Sequence, residues 1–308
     1  MTDILVAGGG PAGLTAALYA ARAGKSVMVL EGNAPGGQIN FSPLVENYPG
    51  LPAIPGSQLS EELLRQAEDL GVEVEYETVT GFHTQGGGFQ LTTDCAVREC
   101  RALILATGVQ HRTLGLPHEA ELVGQGISYC AVCDGPFCAG KPVAVVGGGD
   151  TALQDALFLA GICSQVTLIH RREEFRGARR LVEQVRERKN ICCRMDSTVE
   201  ELLTQEGRLT GLTIHGRITG ETLHLPVEGL FIAVGQKPQN TPFAHLIALD
   251  GDGYLLAGED CKTSLPGVFA AGDCRAKEVR QLTTAVGDGA VAGLAACRWV
   301  DEHRDAGT

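Results

Sequence analysis

Residues 4–31, ILVAGGGPAGLTAALYAARAGKSVMVLE, align without a gap with residues 143–170, VAVVGGGDTALQDALFLAGICSQVTLIH, at an offset of 139. Each copy reads as an apolar strand, a glycine turn, a helix with one apolar face and a second apolar strand. That order is the opening βαβ unit of a dinucleotide-binding fold, and here it occurs twice. The glycines divide the work. Gly8 and Gly147 make the tight turn, Gly10 and Gly149 let the backbone approach a pyrophosphate, and Gly13 or Ala152 lets the helix pack on the strands. A pyrophosphate then sits at the helix N-terminus, where free N–H groups and the helix dipole favour an anion. The chain is therefore predicted to be an α/β protein with two Rossmann-like dinucleotide-binding domains.

The ends of the second strands differ, and the difference assigns ligands. Glu31 lies 23 residues after Gly8, where a carboxylate accepts hydrogen bonds from an unmodified ribose. The same step from Gly147 reaches His170, followed by Arg171, Arg172 and Arg176. A basic cluster there suits a ribose carrying a 2′-phosphate. The first site is expected to take FAD or NAD and the second NADP(H). The competing reading of the arginines is a solvated helix face paired with Glu173 and Glu174.

Two further apolar runs, 102–108 and 230–235, end in Gly108 and Gly235, and each can close one nucleotide domain. A third run, 267–273, ends in Asp273, a carboxylate at the strand end that faces the ligand crevice of such sheets. This order makes the second domain an insertion in the first. The expected boundaries are 1–114 for the first part of the FAD domain, 115–243 for the NADPH domain, and 244–308 for the completion of the first. Residues 71–100 and 209–228 alternate like antiparallel strands and are expected to form small sheets crossing over each domain. Asp301 to Thr308 is polar and expected to fray.

Cys130-Ala131-Val132-Cys133 precedes the second nucleotide strand. Cysteines at this spacing can close a small disulfide ring, and Asp134 follows within reach as a proton donor or acceptor. A redox dithiol, a zinc site recruiting Cys138 and inert buried thiols are all compatible with the spacing. The remaining cysteines of the eleven read as packing residues. A net charge of −12 counts against nucleic acid as a partner. No apolar run approaches the ~20 residues of a membrane span, and the first strand runs straight into a glycine turn, so a cytoplasmic location is expected.

The motifs GGGPAG at 8–13, GGQ at 36–38, ENYPG at 46–50, ATG at 106–108, CAVCDG at 130–135, GGGDTA at 147–152, HRREEFR at 170–176, GVFAAGD at 267–273 and RQLTTAVGDGA at 280–290 occur in one order. Together they resemble the low-molecular-weight bacterial thioredoxin reductase family across nearly the whole chain. The resemblance implies FAD held through Gly8, Gly10, Pro11, Ala12, Gly13, Glu31, Gly37, Gln38, Asn47, Thr107, Gly108, Asp273, Arg280 and Gln281. It implies NADPH on Gly149, Asp150, Thr151, His170, Arg171, Arg172, Arg176 and Gly235. It further implies a homodimer, with thioredoxin or a similar small dithiol protein as partner.

By the same resemblance, NADPH passes a hydride to the flavin and the reduced flavin opens the Cys130–Cys133 disulfide. Cys133 is then the sulfur beside the flavin, Cys130 the thiol that exchanges with substrate, and Asp134 manages the proton. Rotation of one domain against the other is implied, with hinges expected near 112–118 and 240–246 around Pro117 and Pro242. Val132 departs from the threonine common between these cysteines, and Asp288-Gly289-Ala290 departs from the family's Gly-Cys pattern. Other readings are a reductase of another dithiol protein, a ferredoxin-linked variant and, outside enzymes, a nucleotide-binding redox sensor.

Overall fold

The computed structural model describes residues 1–303, which form two compact units. The first comprises Met1–Gln110 and the chain from Lys237 onward, and the second is His111–Gln236, inserted between them. The chain thus crosses over at 110/111 and 236/237, four and seven residues before the boundaries drawn from sequence.

In the first unit, β1 (Thr2–Ala7), α1 (Pro11–Arg22), β2 (Val27–Leu30), α2 (Gly56–Glu68) and β3 (Glu73–Glu75) follow in order. β4 (Val79–Gln85), β5 (Gly88–Thr93), β6 (Val97–Leu105) and the short β7 (Val109–His111) complete this stretch. β1 pairs in parallel with β2 and β6, with Val6 opposite Val29 and Ile104. Ile4, Leu5 and Val6 are all fully buried, as required of a parallel strand covered on both faces.

The second unit opens with β8 (Ile127–Ser128) and the single turn α3 (Ala131–Asp134). β9 (Pro142–Gly147), α4 (Asp150–Leu159), β10 (Gln165–Ile169), α5 (Arg179–Glu187) and β11 (Ile191–Arg194) then repeat the nucleotide-binding pattern. β12 (Ser197–Gln205), β13 (Arg208–Gly216) and β14 (Thr222–Pro226) form an antiparallel sheet, and β15 (Gly229–Ala233) returns to the parallel one. The parallel order is β11-β10-β9-β15-β8. Val143 and Val145 pack on Ala152, Leu153 and Ala156 of α4, while Ala144 and Ile232 pack on Leu212 and Ile214 of β13. The period of two along each strand therefore feeds two separate cores.

The chain returns through β16 (Gln236–Pro238), β17 (Val268–Ala270) and α6 (Leu282–Glu302). β6 is used twice along its length. Its first half pairs antiparallel with β5, and its last three residues, Leu103, Ile104 and Leu105, pair in parallel with β17. This corrects the expectation for 71–100. β4 and β5 join the main sheet through β6 instead of forming a separate crossover sheet, and β3 is a parallel strand beside β2. Alternation signals a half-buried strand but not the direction of its neighbour. The expected 209–228 sheet is present and begins earlier, at Ser197. Asp301 and Glu302 are helical, against the expected fraying, because Asp301 is tied to Lys25; the rest of that prediction, 304–308, lies outside the described residues.

α6 closes the first unit by lying directly on α1. A Cβ at Gly289 would fall 2.3 Å from the Ala12 carbonyl oxygen, and one at Gly293 would fall 2.6 Å from that of Ala16. Small residues here set the spacing at which Ala12, Ala16, Ala292 and Ala296 become buried. Gly289→Ala is expected to cost about 1–3 kcal/mol through overpacking. Gly287→Ala, two residues earlier on the same helix with nothing within 4 Å of its added carbon, is expected to stabilise by about 0.5–1 kcal/mol. Urea unfolding of both variants distinguishes a packing constraint from a general helix effect.

Candidate active site

Cys130 and Cys133 are joined in a disulfide with a Cα–Cα distance of 5.3 Å. Cys130 is the N-cap of α3, and its Sγ accepts the Cys133 N–H at 3.2 Å. Ser128, buried at the end of β8, takes the Cys130 N–H on its Oγ at 3.0 Å and donates to Asp134 Oδ2 at 2.5 Å. The other oxygen, Asp134 Oδ1, is buried with no partner among the described residues. Burial pushes the Asp134 carboxyl above its ordinary range, with the Ser128 hydrogen bond opposing the rise. The zinc reading of the pair thus gives way to a disulfide beside a buried acid.

Behind the pair lies a support that sequence reasoning missed. Buried Glu119 accepts the N–H groups of Leu114, Gly115 and Leu116 at 3.0, 2.8 and 3.2 Å, and the Tyr129 hydroxyl at 3.2 Å. The Tyr129 ring stacks on His111 with centroids 4.5 Å apart. Burial pushes the tyrosine up to about 12 and the histidine down to about 4, so both are neutral near pH 7. The signal was present only as Tyr129 beside Cys130; a carboxylate ten residues earlier carries no motif.

The first glycine turn is shaped by close approach. Gly8 has φ +109°, and a Cβ there would lie 2.3 Å from the Ala106 carbonyl oxygen; one at Gly13 would lie 1.9 Å from that of Gly8. Gly10, the N-cap of α1 ahead of Pro11, has nothing within 4 Å of such a carbon, and Gly37 packs beside it. Glu31 accepts the Gly9 N–H at 2.6 Å and the Asn33 N–H at 2.8 Å, one on each oxygen. Gly272 meets Ala12 and brings Asp273 to the same end of the sheet. Asp273 is pushed upward by burial, offset by Lys277 and Arg280, and its Oδ1 is buried without a partner among the described residues. Asn47 donates to Gln281 at 3.3 Å, and Arg280 lies 4.2 Å over the Tyr254 ring. Gln38 reaches the Val109 carbonyl and Thr107 the Asn240 side chain, while Gly108 turns at φ +63°.

An orphaned buried carboxylate oxygen beside an open helix N-terminus fits a dinucleotide whose hydroxyl and pyrophosphate supply the missing partners. Asp288, flagged by sequence as a departure, does not face that opening alone. It takes a two-pronged bond from Arg275 at 2.8 and 2.8 Å, Lys277 at 2.9 Å and the Gly272 N–H at 3.0 Å. Burial works against its charge, but these donors hold the carboxyl below its usual range.

In the second unit, Gly149 is the open N-cap of α4, with Thr151 exposed in the first turn. Asp150 accepts the Ala178 N–H at 2.6 Å, fixing the loop ahead of α5. His170 is buried against Gly148, stacks on Phe175 and bonds the Glu174 carbonyl at 3.1 Å; burial lowers its pKa, so it braces the 171–178 loop as a neutral ring. Arg171, Arg172 and Arg176 are exposed on that loop, and among the described residues none pairs with Glu173, Glu174 or any other carboxylate. Gly235 turns at φ +108° with the Arg112 side chain 3.8 Å from its added carbon.

Residues 2–289 match the family model described as pyridine nucleotide-disulphide oxidoreductase. The chain is 40% identical over 304 residues to a thioredoxin reductase of Listeria monocytogenes, covering 98% of this chain and 95% of the relative. The crystal structure of thioredoxin reductase from Streptococcus pyogenes is similar at TM-score 0.94 and 38% identity, with 98% of this chain and 99% of that one covered. Thioredoxin reductase from Giardia duodenalis gives TM-score 0.92 and 37% identity, with 97% and 99% covered. No helix among the described residues is long and apolar enough to cross a membrane. With its disulfide, its two glycine turns and relatives that span its length, the chain belongs to the pyridine nucleotide-disulphide oxidoreductases, in the low-molecular-weight thioredoxin reductase family.

Proposed function

We propose that this enzyme uses NADPH and FAD to reduce the disulfide of thioredoxin or a similar small dithiol protein, as a cytoplasmic homodimer. The observation that carries this reading is the Cys130–Cys133 disulfide with a buried acid at its side, in a unit that also presents three exposed arginines, unpaired among the described residues, next to a glycine turn. A reductase that needed only NADH would have no use for such a loop.

Each group has a distinct task. Glu31 keeps lone pairs for ribose hydroxyls after its two backbone bonds, and the open N-terminus of α1 receives a pyrophosphate. Asp273 Oδ1 takes a hydroxyl of the flavin's side chain. Arg171, Arg172 and Arg176 hold the 2′-phosphate by charge-assisted bonds. When bound, the flavin supplies two-electron relay between the nicotinamide and a sulfur of the pair. Cys130 Sγ already accepts the Cys133 N–H, so negative charge on that sulfur is stabilised once the disulfide opens. This suits Cys130 to exchange with the substrate disulfide and leaves Cys133 as the inner sulfur. Asp134, held protonated to higher pH by its burial, supplies a proton to the sulfur that is released.

Three measurements bear on this reading. Cys133→Ser is expected to abolish thioredoxin reduction while NADPH still bleaches the flavin absorbance in anaerobic stopped flow; normal thioredoxin turnover in that variant would refute the role of the pair. Replacing Arg171 and Arg172 together by Ala is expected to weaken NADPH by at least about tenfold, from lost charge-assisted bonds, and to leave NADH nearly untouched. Equal losses for both nucleotides would count against phosphate recognition. Asp273→Asn is expected to loosen FAD by about 10–100-fold, read as flavin released on dilution and gel filtration.

A further inference from the structure

The hydroxyl of Ser128 sits between the reactive pair and its acid. Its Oγ accepts the Cys130 N–H at 3.0 Å, donates to Asp134 Oδ2 at 2.5 Å, and lies 3.3 Å from the Cys130 carbonyl oxygen. Ser128 is 7% exposed, so water does not substitute freely for these partners. Asp134 Oδ1 has no partner, which leaves Ser128 as the one side-chain donor to the carboxylate among the described residues.

We propose that Ser128 is a positioning residue that sets the proton affinity of Asp134 and locks it to the backbone of Cys130. A serine hydroxyl has one hydrogen and two lone pairs, and that inventory lets it stay bonded to both the acid and the Cys130 N–H in either protonation state. With Asp134 ionised, the hydroxyl donates to Oδ2 and accepts from Cys130. With Asp134 protonated on Oδ2, the acid donates to Oγ, and the hydroxyl turns its hydrogen to the Cys130 carbonyl. The Cys130 N–H stays bonded in both. The acid can therefore gain or lose its proton on Oδ2 while Oδ2, the Ser128 hydroxyl and the Cys130 N–H all remain bonded, so the reactive cysteine is not released. Opening the disulfide to two thiols takes two electrons and two protons; the hydride of the dihydronicotinamide donor accounts for both electrons and one proton, leaving an oxidised nicotinamide. One proton comes from Asp134, which is left as the carboxylate that Ser128 then solvates.

Other titratable groups lie on the elements around α3. Cys138, on the turn that follows, is raised by burial and feels the Asp134 charge, with Lys141 and Glu228 beyond it. α4, which packs against α3, carries Asp150, engaged with the Ala178 N–H, and Asp155, pushed up to about 7 by burial. Burial raises Asp155 as it raises Asp134, so the assay must separate the two carboxyls.

The inference rests on the proposed disulfide chemistry, but its first readout needs no substrate. Infrared pH-difference titration of the oxidised holoenzyme follows the carboxyl bands, with Asp134→Asn and Asp155→Asn identifying each. In Ser128→Ala the carboxylate loses its donor, so the Asp134 midpoint is expected to rise by about one pH unit. Ser128→Thr, which keeps the hydroxyl, is expected to return it to the native value. The high-pH fall in thioredoxin turnover should move upward by the same amount, since the protonated acid is the active form. An unmoved Asp134 midpoint in Ser128→Ala, or an equal shift in Ser128→Thr, would overturn the inference. If the native enzyme fails to turn over thioredoxin while the midpoint still follows residue 128, the substrate reading falls and the role of Ser128 stands.

Discussion

The first unit is organised by a contact between backbones. Gly13 in α1 lies so near the Gly8 carbonyl, and Gly8 so near Ala106, that neither tolerates a side-chain carbon without movement. Strand, turn and helix are thereby drawn together, and the first N–H groups of α1 point into open space at Gly10. The second unit solves the same problem with a small change, since Ala152 stands where the first has Gly13 and Gly147 gives way against Ala233 and Ala152. Both turns leave a helix end without a side-chain cap. The first N–H groups of each helix are left to water until an anion replaces it, which ties ligand binding to the stability of the turn itself.

The buried carboxylates sort into two kinds. Glu119 and Asp288 each take several donors, Glu31 takes one backbone N–H on each oxygen, and all three hold backbone in place. Asp134 and Asp273 each keep one buried oxygen unpaired among the described residues, and burial raises both. Leaving such an atom without a partner costs about 1–3 kcal/mol, so these two positions are where the structure departs from self-sufficiency. One lies beside a disulfide and the other beside the open N-terminus of α1, as expected if dissatisfaction is concentrated at working sites.

Much of this was readable from residue order because the decisive contacts are local. Each glycine turn and the step from Gly8 to Glu31 lie within a single βαβ unit, and the Cys-x-x-Cys ring spans four residues, so spacing alone sets their geometry. The insertion of one unit in the other was legible from the order of strands ending in glycine. What escaped was set by side chains meeting across the fold. Nothing marks Arg275 as the partner of Asp288, or Glu119 as the partner of Tyr129, before the chain is folded. His170 was read as part of a cationic cluster because it stands at the strand end; the ring of Phe175 and the Glu174 carbonyl turn it into a neutral brace. The direction of β3 was likewise invisible, since a period of two is common to both kinds of sheet.

The insertion also fixes the order in which the parts can be made. The second unit is one uninterrupted stretch, His111–Gln236, and holds all the partners of its own sheet. The first is divided, and the pieces that close it, β17 and α6, are synthesised last. Until they emerge from the ribosome, Leu103, Ile104 and Leu105 of β6 present an open edge, and Ala12 and Ala16 of α1 face water. The nascent chain therefore carries a finished domain in its middle and an unfinished one at its front. A truncation that removed α6 would leave the disulfide-bearing unit whole while depriving the N-terminal residues of their core.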